Sequence, residues 1–178
     1  MFRSWCWCLD RLLLDPAFMW RHPHLLRNFD YIGMHYYSIT WCCDERETLF
    51  TQPDRVDLVR AQILRACKDS EFEVIVDCFM PDHVHKLVHG RTPTADGKKF
   101  IRLAKQYSGF YFKQAFDQRL WQRYGMDRFV RNDGDIRAIA QYIIENPVRA
   151  GLVTRPEDHP FTGSHVYTLE QLIEWAYS

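Results

Sequence analysis

The stretch Glu73-Val74-Ile75-Val76-Asp77-Cys78-Phe79-Met80-Pro81-Asp82-His83-Val84-His85-Lys86-Leu87-Val88-His89 decides the fold. Val74, Val76 and Cys78 alternate with Glu73, Ile75 and Asp77, the period-two pattern of a strand, and Pro81-Asp82 reads as a turn. His83 to His89 is then the second arm of a hairpin. Successive strand side chains point to opposite faces, so His83 and His85 share one face with Val84 on the other. At ~3.3 Å per residue their Cα atoms stand roughly 6–7 Å apart, close enough for both imidazoles to reach one divalent ion. A His-x-His pair is equally compatible with solvent-facing or satisfied core histidines, and the spacing by itself leaves both readings open.

Working outward, Tyr31 to Cys43 is rich in Tyr, Ile, Thr and Trp and predicts a strand, followed by a polar turn at Asp44-Glu45-Arg46-Glu47. Pro53-Asp54 opens a helix to about Asp69, with Val56, Val59, Ile63 and Cys67 at helical spacing. A basic helix is expected over about Ala95 to Phe116, with Ser108-Gly109 as its weak point, and an extended segment from Trp121 to Arg131. Asp133-Gly134-Asp135 starts another helix that Pro147 is expected to stop at Asn146, since proline cannot donate to the helical ladder. A last helix covers Thr168 to Tyr177. Strand, helix, strand, strand, helix, strand, helix is an α+β order with hairpin-linked antiparallel strands.

At 178 residues the chain has the length of one domain, and its 47% hydrophobic and 15% aromatic content exclude a disordered polypeptide. No stretch approaches the ~20 apolar residues of a membrane span, and no secretory signal opens the sequence, so a cytoplasmic protein without membrane partners is expected. The six cysteines lack C-x-x-C spacing and read as buried thiols. Residues 1–29, with Trp5, Cys6, Trp7, Cys8, Trp20, His22 and His24, fit no periodic template or zinc module and read as an extension of unknown role before a domain at 30–178.

Net charge is zero, but its distribution is uneven. Between Lys98 and Arg149 lie eleven basic and five acidic residues, interleaved with Phe110, Tyr111, Phe112, Trp121 and Tyr124. Such a segment suits a groove that tracks phosphates while rings stack on bases, and equally a solvated helix face over an aromatic core. The DNA-contact candidates are Lys98, Lys99, Arg102, Lys105, Arg123 and Arg131.

A second informative stretch is Tyr142-Ile143-Ile144-Glu145-Asn146-Pro147-Val148-Arg149-Ala150-Gly151-Leu152-Val153. Tyr142 and Asn146, four residues apart, occupy one helix face, so a hydroxyl and an amide oxygen can address one site. The plainer alternative is a rim tyrosine beside a terminating asparagine. Tyr107, Tyr111 and Tyr124 are weaker nucleophile candidates. His89 shares parity with His83 and His85, either as an outer ligand or as a strand-end histidine.

Met80 to Val88 and Tyr142 to Val153 occur in order with Leu120-Trp121-Gln122-Arg123, Phe129-Val130-Arg131-Asn132-Asp133 and the tail Arg155-Pro156-Glu157-Asp158-His159-Pro160-Phe161. Together they resemble the REP-associated tyrosine transposases, single-strand transposases of the HUH endonuclease superfamily, from about Asp30 onward. The resemblance implies a ferredoxin-like antiparallel sheet with helices packed mainly on one face. It further implies that His83, His85 and Asn146 hold Mg²⁺ or Mn²⁺, and that Tyr142 attacks a phosphate of single-stranded or hairpin DNA to give a 5′-phosphotyrosine. An ordinary tyrosine has a pKa of about 10 and needs a positive field to act as a nucleophile. Related enzymes are implied to work as monomers or homodimers. A catalytically idle hairpin-binding regulator and a hydrolytic phosphodiesterase are the rival expectations. The zero net charge and the Trp- and Cys-rich start depart from the family pattern.

Overall fold

The hairpin predicted at the centre of the chain is formed by β2 (Phe72–Met80) and β3 (His83–Gly90), paired antiparallel about the Pro81-Asp82 turn. The computed structural model describes residues 30–122, 126–130 and 133–178, with backbone alone for 126–130 and 133–135. The expected extension at 1–29, with its Cys6, Cys8, His22 and His24, lies outside the described residues, as do Arg123, Tyr124 and Arg131.

Around the hairpin the chain adds β1 (Tyr36–Cys42), α1 (Pro53–Ser70), α2 (Gly97–Phe116), β4 (Met126–Val130), α3 (Asp133–Arg149), a two-residue β5 (Thr162–Gly163) and α4 (Leu169–Tyr177). The strands form one antiparallel sheet in the order β4-β1-β3-β2-β5. Both β1 and β2 run antiparallel to β3, so α1 crosses between parallel strands, and α2 does the same from β3 to β4. Crossovers of this kind are right-handed, which puts α1 and α2 on the same face. This is the ferredoxin-like arrangement.

Trp41, Tyr37, Ile39, Phe79, Val84 and Val88 meet Val59, Ile63, Phe100 and Phe112 of these two helices in the larger core. The expected helical layer therefore consists of α1 and α2. A smaller second layer, α3 and α4, covers the opposite face with Ile136, Ala140, Ile143, Ile144, Leu172 and Ala176 against Ile75, Val76, Cys78, Met80 and Leu87.

Three details differ from the sequence expectation. β2 does not alternate uniformly: its register against β3 shifts between Val74 and Val76, with Ile75 the extra residue of a bulge. Val74 thus faces α1 and α2 while Val76 and Cys78 face α3, so the apparent single stripe spans two faces. α3 does not stop at Asn146 but continues to Arg149 with Pro147 inside it. The proline removes one ladder bond in the last turn, and the helix closes at Gly151, whose N–H donates to the Val148 carbonyl and whose φ of 69° turns the chain so that the Leu152 N–H reaches the Pro147 carbonyl. Finally, α2 is unbroken at Ser108, whose hydroxyl donates to the Ala104 carbonyl and accepts from Trp121 Nε1 at 2.8 Å. Cys43, Cys67 and Cys78 are buried thiols, and burial pushes all three up to about 12, as befits inert core residues.

Candidate active site

β3 is the central strand of five, and its histidines lie on the face covered by α3. His83 and His85 are 5% and 6% exposed, and their Nε2 atoms face one another at 2.9 Å. Two ligands at right angles on an ion with metal–nitrogen distances of ~2.1 Å would stand about 3 Å apart, so this separation fits neighbouring positions around one cation. His85 is pushed down to about 3, first by burial and then by the positive charges of His83, Lys86, Arg149 and Arg46. It is therefore neutral near pH 7 and carries one nitrogen lone pair.

The other ring nitrogens are held from behind. His85 Nδ1 lies 2.8 Å from Thr40 Oγ1, directly across the β1–β3 ladder, and His83 Nδ1 lies 2.5 Å from Asp82 Oδ1. Arg46 Nη1 donates to the second oxygen of Asp82 at 3.0 Å. Burial works against the Asp82 carboxylate, but the hydrogen bond from His83 and the charges of His83 and Arg46 hold it below the usual value. The turn that delivers Arg46 is strained: Glu45 and Arg46 have φ of 51° and 60°, left-handed conformations that cost roughly 1–2 kcal/mol per residue. Backbone bonds from Cys43 N to Asp82 O and from Phe50 N to Pro81 O clamp this loop onto the hairpin turn.

From the α3 side, the Tyr142 ring meets His85 edge to face, with centroids 6.2 Å apart. The Arg149 guanidinium lies over the ring, 4.1 Å from its centroid, and Arg149 Nη2 donates to the Tyr142 carbonyl. Glu145 accepts from Arg149 Nη1 at 3.0 Å, from Gln141 and from the Tyr177 hydroxyl of α4. One turn beyond the tyrosine, Asn146 is 5% exposed and its side-chain Nδ2 has no hydrogen-bond partner among the described residues. A buried amide N–H unclaimed by the fold costs ~1–3 kcal/mol, which an acceptor such as a phosphate oxygen would relieve, while Oδ1 is the atom of this side chain that could meet a cation. Two imidazoles and an amide oxygen form a donor set compatible with Mg²⁺ or Mn²⁺. Among the described residues, no group of three or more His, Cys, Asp or Glu is placed to hold a metal. A site here therefore depends on the amide.

His83, His85, Tyr142 and Asn146 thus share one face of the sheet, and Arg149 joins them. The other candidates separate from this group. His89 stacks on Tyr36 and contacts Glu73 Oε1 at 3.0 Å. Tyr107 and Tyr111 belong to α2, on the opposite layer, where they engage Asp69 and Arg65. Lys98, Lys99 and Arg102 are exposed near the start of α2, where Lys98, Lys99 and Arg102 line a cavity of about 490 Å³ with Asp96 and Ile101. Lys105 is partly buried and donates to the Gln122 carbonyl at 3.4 Å.

Sequence reasoning missed Arg149, Arg46 and Thr40 and gave Asp82 only a turn-forming role. Arg149 had a signal: Tyr142, Glu145, Asn146 and Arg149 follow the i, i+3, i+4, i+7 spacing of one helix face. Thr40 becomes adjacent to His85 only through strand register.

A family model described as "Transposase IS200 like" matches residues 32–146. A Haemophilus influenzae protein named for the REP-associated tyrosine transposases is 27% identical over 158 residues, spanning 78% of this chain and 84% of the relative. An Escherichia coli REP-associated tyrosine transposase is 27% identical over 125 residues, spanning 67% and 72% of the two chains. A solved REP-associated tyrosine transposase bound to a REP hairpin superposes with a TM-score of 0.65 at 25% identity, covering 78% of this chain and 82% of that one. No helix among the described residues is long and apolar enough to cross a membrane.

Proposed function

The chain belongs to the IS200-like transposase family, and from that premise we propose that it cuts and rejoins single-stranded DNA through a covalent bond to Tyr142. The observation that carries this reading is the convergence of two buried imidazole Nε2 atoms, 2.9 Å apart, beside the ring of Tyr142 on the facing helix. The substrate class follows the similar transposase solved with a REP hairpin: a hairpin-forming DNA.

His83, His85 and Asn146 would hold Mg²⁺ or Mn²⁺, which when bound polarises the scissile phosphate and offsets its developing charge. The chain's own residues supply the rest. His85 and Arg149 flank the Tyr142 ring and set the direction of its hydroxyl. The phenol gives up its proton to solvent and its oxygen attacks phosphorus in line; the P–O3′ bond breaks, and the departing 3′ oxygen takes up a proton from solvent. The bond energy is kept in the 5′-phosphotyrosine, and attack by a second 3′-hydroxyl reverses the step and joins the strands. No water-activating base is needed for either half. Exposed Lys98, Lys99 and Arg102 contact phosphates outside the reacting centre, and Lys105 does so on leaving the Gln122 carbonyl. Arg123 and Arg131 are assigned to DNA from the sequence alone.

The test incubates the protein with labelled hairpin DNA from the flanks of its own gene, with Mn²⁺ or EDTA. A denaturant-resistant adduct that requires Mn²⁺ and disappears in Tyr142→Phe is the expected result. Tight binding with neither adduct nor cleavage identifies an idle hairpin binder. Cleavage that persists in Tyr142→Phe identifies a hydrolytic enzyme.

A further inference from the structure

The geometry points to Arg46, Asp82 and Thr40 as positioning residues that prepare the two histidines unequally, His83 as a ligand fixed in advance and His85 as one that changes tautomer on loading. The inference rests on the metal-binding reading above for its purpose, though not for its geometry.

An ionised carboxylate only accepts hydrogen bonds, so the 2.5 Å contact between Asp82 Oδ1 and His83 Nδ1 places the proton on Nδ1. In the neutral ring this leaves the lone pair on Nε2, pointing at His85. Arg46 occupies the other Asp82 oxygen, so the carboxylate cannot swing away without breaking an ion pair. The strained turn at Glu45 and Arg46 and the backbone clamp onto Pro81 and Asp82 are consistent with a loop built to hold that contact.

Thr40 acts differently because a hydroxyl both donates and accepts. In the metal-free protein, His85 Nε2–H donates to His83 Nε2 across 2.9 Å, and Thr40 O–H donates to His85 Nδ1 across 2.8 Å. When a cation takes the space between the rings, His85 must present its Nε2 lone pair. Its proton then resides on Nδ1, and the Thr40 hydroxyl rotates to accept it. The proton released from Nε2 to solvent is matched by one taken from solvent at Nδ1, so the ring is neutral before and after the change. Outer contacts of this kind typically set metal affinity by about 10- to 100-fold.

Two measurements on the full chain test this. In metal-free, ¹⁵N-histidine-labelled protein, long-range proton–nitrogen correlation should show His83 protonated on Nδ1 and His85 on Nε2. Calorimetric titration with Mn²⁺ should give affinities about 10- to 100-fold weaker for Asp82→Ala, and weaker by a smaller factor for Arg46→Met, which leaves the carboxylate in place. Thr40→Val should also bind more weakly, with Thr40→Ser restoring the affinity and all melting temperatures remaining close to the parent's. A His83 ring bare at Nδ1, or an Asp82→Ala affinity equal to the parent's, overturns the inference. If the parent itself takes up no Mn²⁺, the metal-binding reading fails on its own, while the tautomer spectrum still decides whether Asp82 fixes His83.

Discussion

Arg149 lies over the ring of Tyr142 and reaches back to the tyrosine's own carbonyl, while His85 meets the same ring edge to face. As a partly exposed cation–π contact this adds only ~0.5–1 kcal/mol to stability. Its larger effect is on direction, because misplacing a reacting atom by ~1 Å can cost about 100-fold in rate. Arg149→Ala should therefore melt within a few degrees of the parent and bind hairpin DNA nearly as tightly. Its single-turnover adduct formation should be slowed by about 10-fold or more; an unchanged rate would leave the arginine a merely structural role. The buried histidines give a second prediction. His85 lies at about 3, and His159 is also held below its usual value, by burial and then by Arg60. Folded values below the unfolded ~6.5 mean that protonation favours unfolding. Stability is full above pH 6.5 and falls as pH drops from there toward 3. Urea unfolding in EDTA between pH 7.5 and 5 should show this decline, and His159→Gln should reduce it. Four site residues, His83, His85, Tyr142 and Asn146, were legible at this scale because each sits in a short local motif. Thr40 and Arg46 were not, since only strand register and a left-handed turn bring them to the histidines.

At the scale of elements, the sequence patterns located β1 to β4 and α1 to α4 but not the two-residue β5, and what else they missed was local backbone geometry. The β2 stripe Val74, Val76, Cys78 looks continuous, yet the bulge at Ile75 sends its two ends to different faces. If Ile75 instead took a regular place in the ladder, Cys78 and Met80 would exchange sides with Asp77 and Phe79, carrying the buried Asp77–Arg60 pair out of the α1 layer. Deleting Ile75 removes only the extra residue and leaves every other β2 side chain on its present face, so cooperative unfolding, measured by near-ultraviolet circular dichroism, should survive at reduced stability, and Ile75→Val should cost only ~0.5–1.5 kcal/mol. The end of α3 was misread for a similar reason. Proline removes only its own donor, so a helix already packed on β2 can run three residues further and stop before Gly151. The φ of 69° there strains any residue with a Cβ, although the surrounding space is open. Gly151→Ala should cost about 1 kcal/mol in chemical denaturation through the backbone alone.

The whole molecule sets a condition that neither the residues nor the elements reveal separately. The histidines and Tyr142 lie on the α3 side of the sheet, whereas Lys98, Lys99 and Arg102 project from α2 in the other layer. A DNA that touches both must pass around an edge of the sheet, with one part held by charge and another presented for reaction. Binding and chemistry should then be separable. Replacing Lys98, Lys99 and Arg102 together by alanine removes up to three phosphate contacts, which lowers the slope of log affinity against log salt by about 2–3, at ~0.7–0.9 per contact. Fluorescence anisotropy over a series of KCl concentrations measures that slope, and adduct formation at saturating DNA measures the chemistry. The expected outcome is a shallower slope and weaker binding with an undiminished maximal rate. An unchanged slope would mean that the α2 face does not follow the phosphates, and would move the search for the binding surface to the layer that carries Tyr142.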